Sequence, residues 1–346
     1  MKRCMKSSMP MMDNRRAGWR RTLAFALAAL ALGALVMLSL GLGAVSIPPD
    51  QQWAVATGGE APETARQILT LVRWPRVLGA ALAGGALAVA GALLQAVLGN
   101  GLAGPNIMGV NAGAGLAVLA LSAFFPQLTR WAPLAAFAGA LGAALVVYLL
   151  ALHSGAGPMT LVLAGVAVST VLGAATDTLL TLYPQIQAGR VDFMIGGFSG
   201  MSMARITPCI FTIGGGILAA WALSYDLNVL ALGEETARSL GMRTGLMRFV
   251  FLMLAALLAG SAVSLAGLVG FVGLVTPHAV RFLVGSDARY QLPLCALAGA
   301  AFSLACDLAA RLIFAPYELP VGIVMSALGG PFFLWLLLKG RRTAAG

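Results

Sequence analysis

The chain has 346 residues, 60% of them hydrophobic and 10% charged, and a formal net charge of +10. That is too little charge to cover a soluble protein, and the many Ala- and Gly-rich runs of about 20 residues have the length of a helix crossing hydrocarbon. The runs are continuously apolar, without the period of two of a barrel strand, and the basic excess lies in the two tails, so a nucleic-acid-binding face is excluded along with a soluble core.

Residues 1–19 read as a cytoplasmic basic tail, and seven basic residues precede Thr22. The apolar run 23–45 is longer than a signal core and lacks a small-residue cleavage site before Ser46, so it is read as a retained first span. Lys339, Arg341 and Arg342 mark the other tail. Positive flanks identify the cytoplasmic side; both ends are therefore cytoplasmic, the number of spans is even, and residues 20–346 form one all-α transmembrane domain. Ten spans are predicted, at 22–45, 75–98, 106–125, 131–152, 158–182, 205–225, 245–268, 270–285, 291–314 and 320–339. The eighth is interrupted by Pro277 and Gly285 and is expected to be short or bent.

The stretch 46–74 lies outside and ends in "LVRWPR". Arg73 and Arg76 flank Trp74 and Pro75 where span two begins. Arginines at a helix N-terminus oppose the helix dipole, which leaves two readings: contact with lipid headgroups, or a docking site for an acidic partner outside. Within span two, "LAGGALAVAGALLQ" (82–95) lies without gaps on "LAGSAVSLAGLVGF" (258–271), with six identities. The two segments run in opposite directions, as the halves of an inverted repeat do. "GNGLAGPNIMGVNAGAG" (99–115) follows on the inner side; backbone this irregular is buried in protein or lines a cavity, which suits a gate or a tight turn.

Between spans six and seven, "DLNVLALGEETARSLGMRT" lies inside. Leu232, Thr236 and Leu240 recur at four-residue spacing, Glu234 and Arg238 form an i,i+4 pair in the favoured order, and Gly241 stands where a helix stops. A short cytoplasmic helix over 233–240 is predicted. In span nine, Asp307 and Arg311 are a second i,i+4 pair, deep in apolar sequence, where charges are costly and paired.

Catalytic patterns do not occur. There is no G-x-x-x-x-G-K-[ST], H-E-x-x-H, paired-cysteine or G-x-S-x-G motif. The only histidines are His153 and His278. Cys4, Cys209, Cys295 and Cys306 have no His or acidic companions at ligand spacing, so the cysteines in the spans are packing residues and no metal site is expected. A membrane-embedded enzyme needs converging titratable groups at mid-depth, and Asp177, toward the end of span five, has none beside it in sequence.

From about residue 66 to 339 the chain resembles the FecCD-type permeases, the membrane subunits of bacterial ATP-binding-cassette importers for iron-siderophores, haem and cobalamin. The resemblance is carried, in order, by "RWPRVLGAALAGGALAVAGALLQ", "GNGLAGPNIMGVNAGAG", "LALGEETARSLGM", "GLVGFVGLVTPHAVR" and "DLAARLIFAPYELPVGIVMSALGGPFFLWLLLK". It implies a type II importer permease fold of ten spans with an inverted repeat, in the bacterial inner membrane. A second permease copy or a paralogue completes a central pathway of about twenty helices. Leu232, Gly233, Glu234, Ala237, Arg238, Leu240 and Gly241 would couple to ATPase subunits on the cytoplasmic side. Arg73, Arg76 and Arg311, the last held by Asp307, would meet glutamates of an external substrate-binding protein. Asn100 and Leu102 with Thr160 and Thr181 would line or close the pathway. Gly270, Gly273, Pro277, His278 and Arg281 would form a compact structural bend, with His278 neither ligand nor catalyst. The chain itself would bind no cofactor, ATP being used by the partner subunit; its other neighbour is membrane lipid. The default cargo is an iron-siderophore, with haem or cobalamin as alternatives. Two departures stand out: Gly101 follows Asn100 where the family has Pro, and Phe193 occupies a Trp position.

Overall fold

The computed structural model describes residues 12–43, 45–153, 157–186, 193–315 and 317–344. Residues 1–11 of the basic tail, Cys4, and the first two residues of "VDFMIGGFSG" lie outside them, as do the side chains of Lys339, Arg341 and Arg342. The described elements are helical: α1 (Met12–Gly41), α2 (Pro49–Thr57), α3 (Glu63–Gln67), α4 (Trp74–Val97), α5 (Val110–Phe124), α6 (Ala132–His153), α7 (Pro158–Leu182), α8 (Met203–Ala222), α9 (Ser224–Ala231), α10 (Glu234–Ser239), α11 (Thr244–Ala266), α12 (Val272–Val284), α13 (Ala288–Leu312) and α14 (Val321–Ala344). Among the described residues seven helices are long and apolar enough to cross a membrane. Three shorter apolar helices, Val110–Phe124, Val272–Val284 and Val321–Leu334, accompany them. These ten segments coincide with the ten predicted spans.

Lipid offers no hydrophobic drive for helices to associate, so close packing has to come from small residues. Antiparallel α4 and α13 touch where Gly84 faces Gly299 and Gly85 faces Ala296; a Cβ on Gly84 would meet the Gly299 carbonyl. Gly113 of α5 meets Gly139 of α6 in the same manner, and Gly91 of α4 meets Gly273 of α12. The helix containing α4 is the most enclosed span, whereas α1 and α7 keep most of their apolar surface exposed.

The contacts order the two ends of the bundle. The start of α4, the end of α1 and the end of α13 meet through Arg73, Arg76 and Arg311. Arg205, opening α8, donates to Ser264 and Leu265 near the end of α11. The opposite end carries α9 and α10, the turn at 98–104 and the start of α13. Arg21 lies 4.2 Å over the Tyr290 ring, which brings the start of α1 there too. Because α14 runs parallel to α12, with Gly329 against Phe271 and Phe332 beside His278, its end also lies there.

Three predicted boundaries are corrected. Pro277 does not break the eighth segment: α12 passes through it and stops at Gly285, whose φ of 82° is open to glycine. Span two begins well before residue 75, because α3 and a π-helical turn (Ile68–Arg73) run straight into α4, and α2 is a separate helix that ends before Gly58. The predicted loop from 226 contains a helix of its own, α9, and α10 covers only Glu234–Ser239.

Candidate functional site

Proline carries the first lesson about α12. Pro277 has no N–H to donate four residues back, so the Gly273 carbonyl is left without its helical donor. Gln95 Nε2 of α4 supplies one at 3.3 Å, and Gln95 Oε1 accepts from Arg281 Nη2 at 3.2 Å. Arg281 therefore ties α12 to α4 beside the turn at 100–102, where Leu102 N donates to Asn100 Oδ1 at 2.9 Å. A small cavity there is lined by Gly101, Leu102, Leu274 and His278. His278 packs edge-on to Phe282 and Phe332. Phe271, before α12, has φ 65°, the only positive φ outside glycine among the described residues; Gly329 leaves room for its ring.

The outer cluster resolves the two arginines that opposed a helix dipole. Arg73 closes the π-helical turn and donates to the carbonyls of Leu40 and Val45. Arg311 Nη1 donates to Ser39 and Leu42, both at 3.2 Å. Ser39 and Leu40 lie in the last turn of α1, where acceptors lack helical donors and a cation suits the negative dipole end; Leu42 and Val45 lie just beyond it. Arg76 Nε reaches Asp307 Oδ1 at 3.0 Å, and its Nη1 reaches Glu318 Oε2 at 2.8 Å. Asp307 Oδ2 lies 3.2 Å from Arg311 Nε. Three guanidinium groups against two carboxylates leave one formal positive charge.

All three arginines are buried, at 5–8% exposure, and Asp307 is at 0%. This corrects the expectation of an exposed row of docking charges: the guanidinium groups are spent on carbonyls and carboxylates inside the bundle. It also changes the role of Asp307, which holds Arg76 as well as Arg311. Glu318, not singled out in the sequence, is the cluster's partly exposed member, its side chain 45% accessible.

At the opposite end, α10 is framed by Gly233 (φ 104°) and Gly241 (φ 84°), backbone that a side chain would strain. Glu234 accepts from Arg238 at 2.6 Å and from Arg248 of α11 at 3.0 Å. The Arg248 hydrogen bond holds the Glu234 carboxyl below its ordinary range. Leu232 and Leu240 project outward, each 64% exposed, while Ala237 is fully buried beneath α10. Of the predicted coupling residues, Ala237 thus faces the bundle and the two leucines face away from it.

The predicted gate residues are not brought together. Parallel α5 and α7 meet at Ile107 and Gly165 near one end and at Phe124 and Tyr183 near the other. Thr160 therefore lies toward the end that holds Asn100 and Leu102, and Thr181 lies toward the other. Thr181 Oγ1 donates to the Asp177 carbonyl within its own helix. An apolar groove of about 400 Å³ opens between α5, α6 and α7. Among the described residues no three metal-ligating side chains converge, and Cys209, Cys295 and Cys306 are buried free thiols. Sequence reasoning missed Gln95, Arg248 and Glu318. An arginine four residues into span seven was a readable signal for Arg248; the other two had none.

The family model of the FecCD transport family matches residues 30–339. The chain is 37% identical over 320 residues to a protein of Bacillus subtilis named as a probable siderophore transport system permease, YfhA, covering 90% of this chain and 92% of that one. It is 40% identical over 279 residues to the cobalamin import system permease BtuC of Halobacterium salinarum, covering 80% and 74%. A solved inward-facing structure of a protein assigned as a metal-chelate type ABC transporter superposes with a TM-score of 0.80 at 27% identity, covering 92% of this chain and 99% of that one.

Proposed function

This chain belongs to the FecCD transport family, and from that premise we propose that it passes an iron-siderophore, handed over by an external substrate-binding protein, across the bacterial inner membrane. It is an integral membrane transport permease and not an enzyme. The observation that carries the reading is the short helix α10, held off the end of the bundle by two glycine turns and presenting Leu232 and Leu240 to the outside. Exposed leucines on a polar cytoplasmic helix suit a protein partner, and an ATPase subunit is the partner that such a permease needs, since this chain has no phosphate-binding loop of its own. ATP is consumed there, and the permease binds no cofactor.

The exposed apolar face of α7, with Leu163, Val166 and Val171, supports assembly with a second permease copy or a paralogue. The groove between α5, α6 and α7 opens beside that face and supports α7, with the turn at 100–102, as pathway lining. At the outer end Glu318, the partly exposed member of the cluster, marks the place where the external binding protein would dock in this reading. The start of α1 and the end of α14 lie at the same end as α10, so both are cytoplasmic in this reading. A siderophore cargo is supported by relatives such as YfhA; the cobalamin relative makes a corrinoid the second reading.

Affinity purification from the native membrane tests the machinery: an ATPase subunit should co-purify in stoichiometric amount, and a preparation that lacks one refutes the importer. Mass spectrometry of the ligand carried by the external binding protein tests the cargo. An iron-siderophore is expected; a corrinoid or haem replaces that assignment and leaves the machinery intact.

A further inference from the structure

The first turn of α13 is held from outside itself. Asp287 caps α13 by accepting from Arg289 N at 3.1 Å. Asn228 of α9 is clasped to the same turn twice: its Nδ2 donates to Asp287 Oδ1 at 2.8 Å, and its Oδ1 accepts from Ala288 N at 2.8 Å. Pro293 cannot donate to the Arg289 carbonyl, and Trp221 Nε1 at the end of α8 donates to it instead, at 3.2 Å. The Arg289 guanidinium lies 5.6 Å over the Tyr225 ring. Trp221, Tyr225 and Asn228, spaced four and three residues apart, thus grip Asp287, Ala288 and Arg289.

We propose that this grip, with Asn228 as its central positioning residue, transmits displacement of α10 to α13. The proposal rests on the importer reading above. α9 leads into α10 through Leu232 and Gly233, and Asn228 sits in the last two turns of α9. α13 spans 25 residues, about 37 Å at helical rise, and is locked to α4 where Gly84 and Gly85 meet Gly299 and Ala296. Its far end carries Asp307 and Arg311. A push on α9 is therefore delivered to a helix pair that reaches the outer cluster. Pro293 explains why the grip is needed: the turn it weakens would otherwise fray and absorb the motion.

The test uses the permease assembled with its ATPase in vesicles. Asn228→Ala should lower cargo transported per ATP hydrolysed by about tenfold, within the ordinary range of coupling between sites, with ATPase activity little changed. Asn228→Asp alone sets two carboxylates face to face and should do the same. Combined with Asp287→Asn it restores the side-chain bond with donor and acceptor exchanged, while Ala288 N still donates to residue 228, and should recover most of the ratio although the Arg289 N cap, which shares Asp287 Oδ1, is lost. Trp221→Phe, which removes only the indole N–H, should lower it less. Hydrogen exchange at Ala288, read in the permease alone, should quicken in Asn228→Ala and recover in the exchanged pair. A wild-type transport ratio in Asn228→Ala, or a folded exchanged pair that stays uncoupled, overturns the proposal. If no ATPase assembles, the importer reading fails; unchanged exchange in Asn228→Ala then refutes the grip separately.

Discussion

Asp307 at one end of the bundle and Glu234 at the other each touch two arginines, yet Asp307 is fully buried whereas the Glu234 side chain is 33% exposed. Around Asp307 every charge except that of Glu318 has been taken from water, so the buried part of the cluster holds only while each charge keeps its counterpart. Around Glu234 water screens one side, and Arg238, at 67% exposure, can leave at little cost. The same pair of residue types therefore closes the end that holds Asp307 and leaves the end that holds α10 adjustable, which suits the coupling role proposed for α10.

The sharpest way to break this comparison is Asp307→Ala. It strands Arg76 and Arg311 in the interior and should cost about 3–5 kcal/mol, read as a large fall in the thermal midpoint of the detergent-solubilised protein. A loss below about 1 kcal/mol would place the cluster with ordinary surface pairs. Glu234→Gln comes next. It removes one partner of buried Arg248, and, discounted for the exposed side of the carboxylate, about 1 kcal/mol is expected, accompanied by a drop in transport per ATP. Glu318→Gln sharpens the contrast further, because it takes from Arg76 its half-exposed partner and leaves the buried one; at most about 1 kcal/mol should be lost. Arg238→Ala should be smallest, a few tenths of a kcal/mol at about the i,i+4 scale.

Acidity separates the ends as well. The folded state holds the Glu234 carboxyl below its ordinary value of 4.5, so the unfolded chain takes up a proton first. The contribution of Glu234 is complete above that ordinary value and is lost as pH falls through the lower folded value. A spin label at exposed Ser239 should report α10 as immobile at neutral pH and mobile in acid, and Glu234→Gln should already be mobile at neutral pH. Equal mobility of the two proteins at every pH would remove Glu234 as the anchor of α10.

Much was legible in the sequence because it depends on composition and local order. Continuous apolar length marks ten helices, glycines at 233 and 241 bracket a short polar helix, and an arginine or aspartate inside an apolar run announces a buried partner. Which partner it finds is not local. Arg73 and Arg311 answer carbonyls at and just beyond the end of α1, and backbone carbonyls carry no sequence signal. Gln95 is recruited because Pro277 frees one carbonyl, Trp221 because Pro293 frees another, and Asn228 because the first turn of α13 has amides to satisfy. Composition and period thus determine that this chain is a bundle of membrane-crossing helices with a short polar helix at one end. Whether its arginines face a partner or its own interior was decided only by packing, because in a medium without water each polar group has to be answered by whatever group the fold brings within reach.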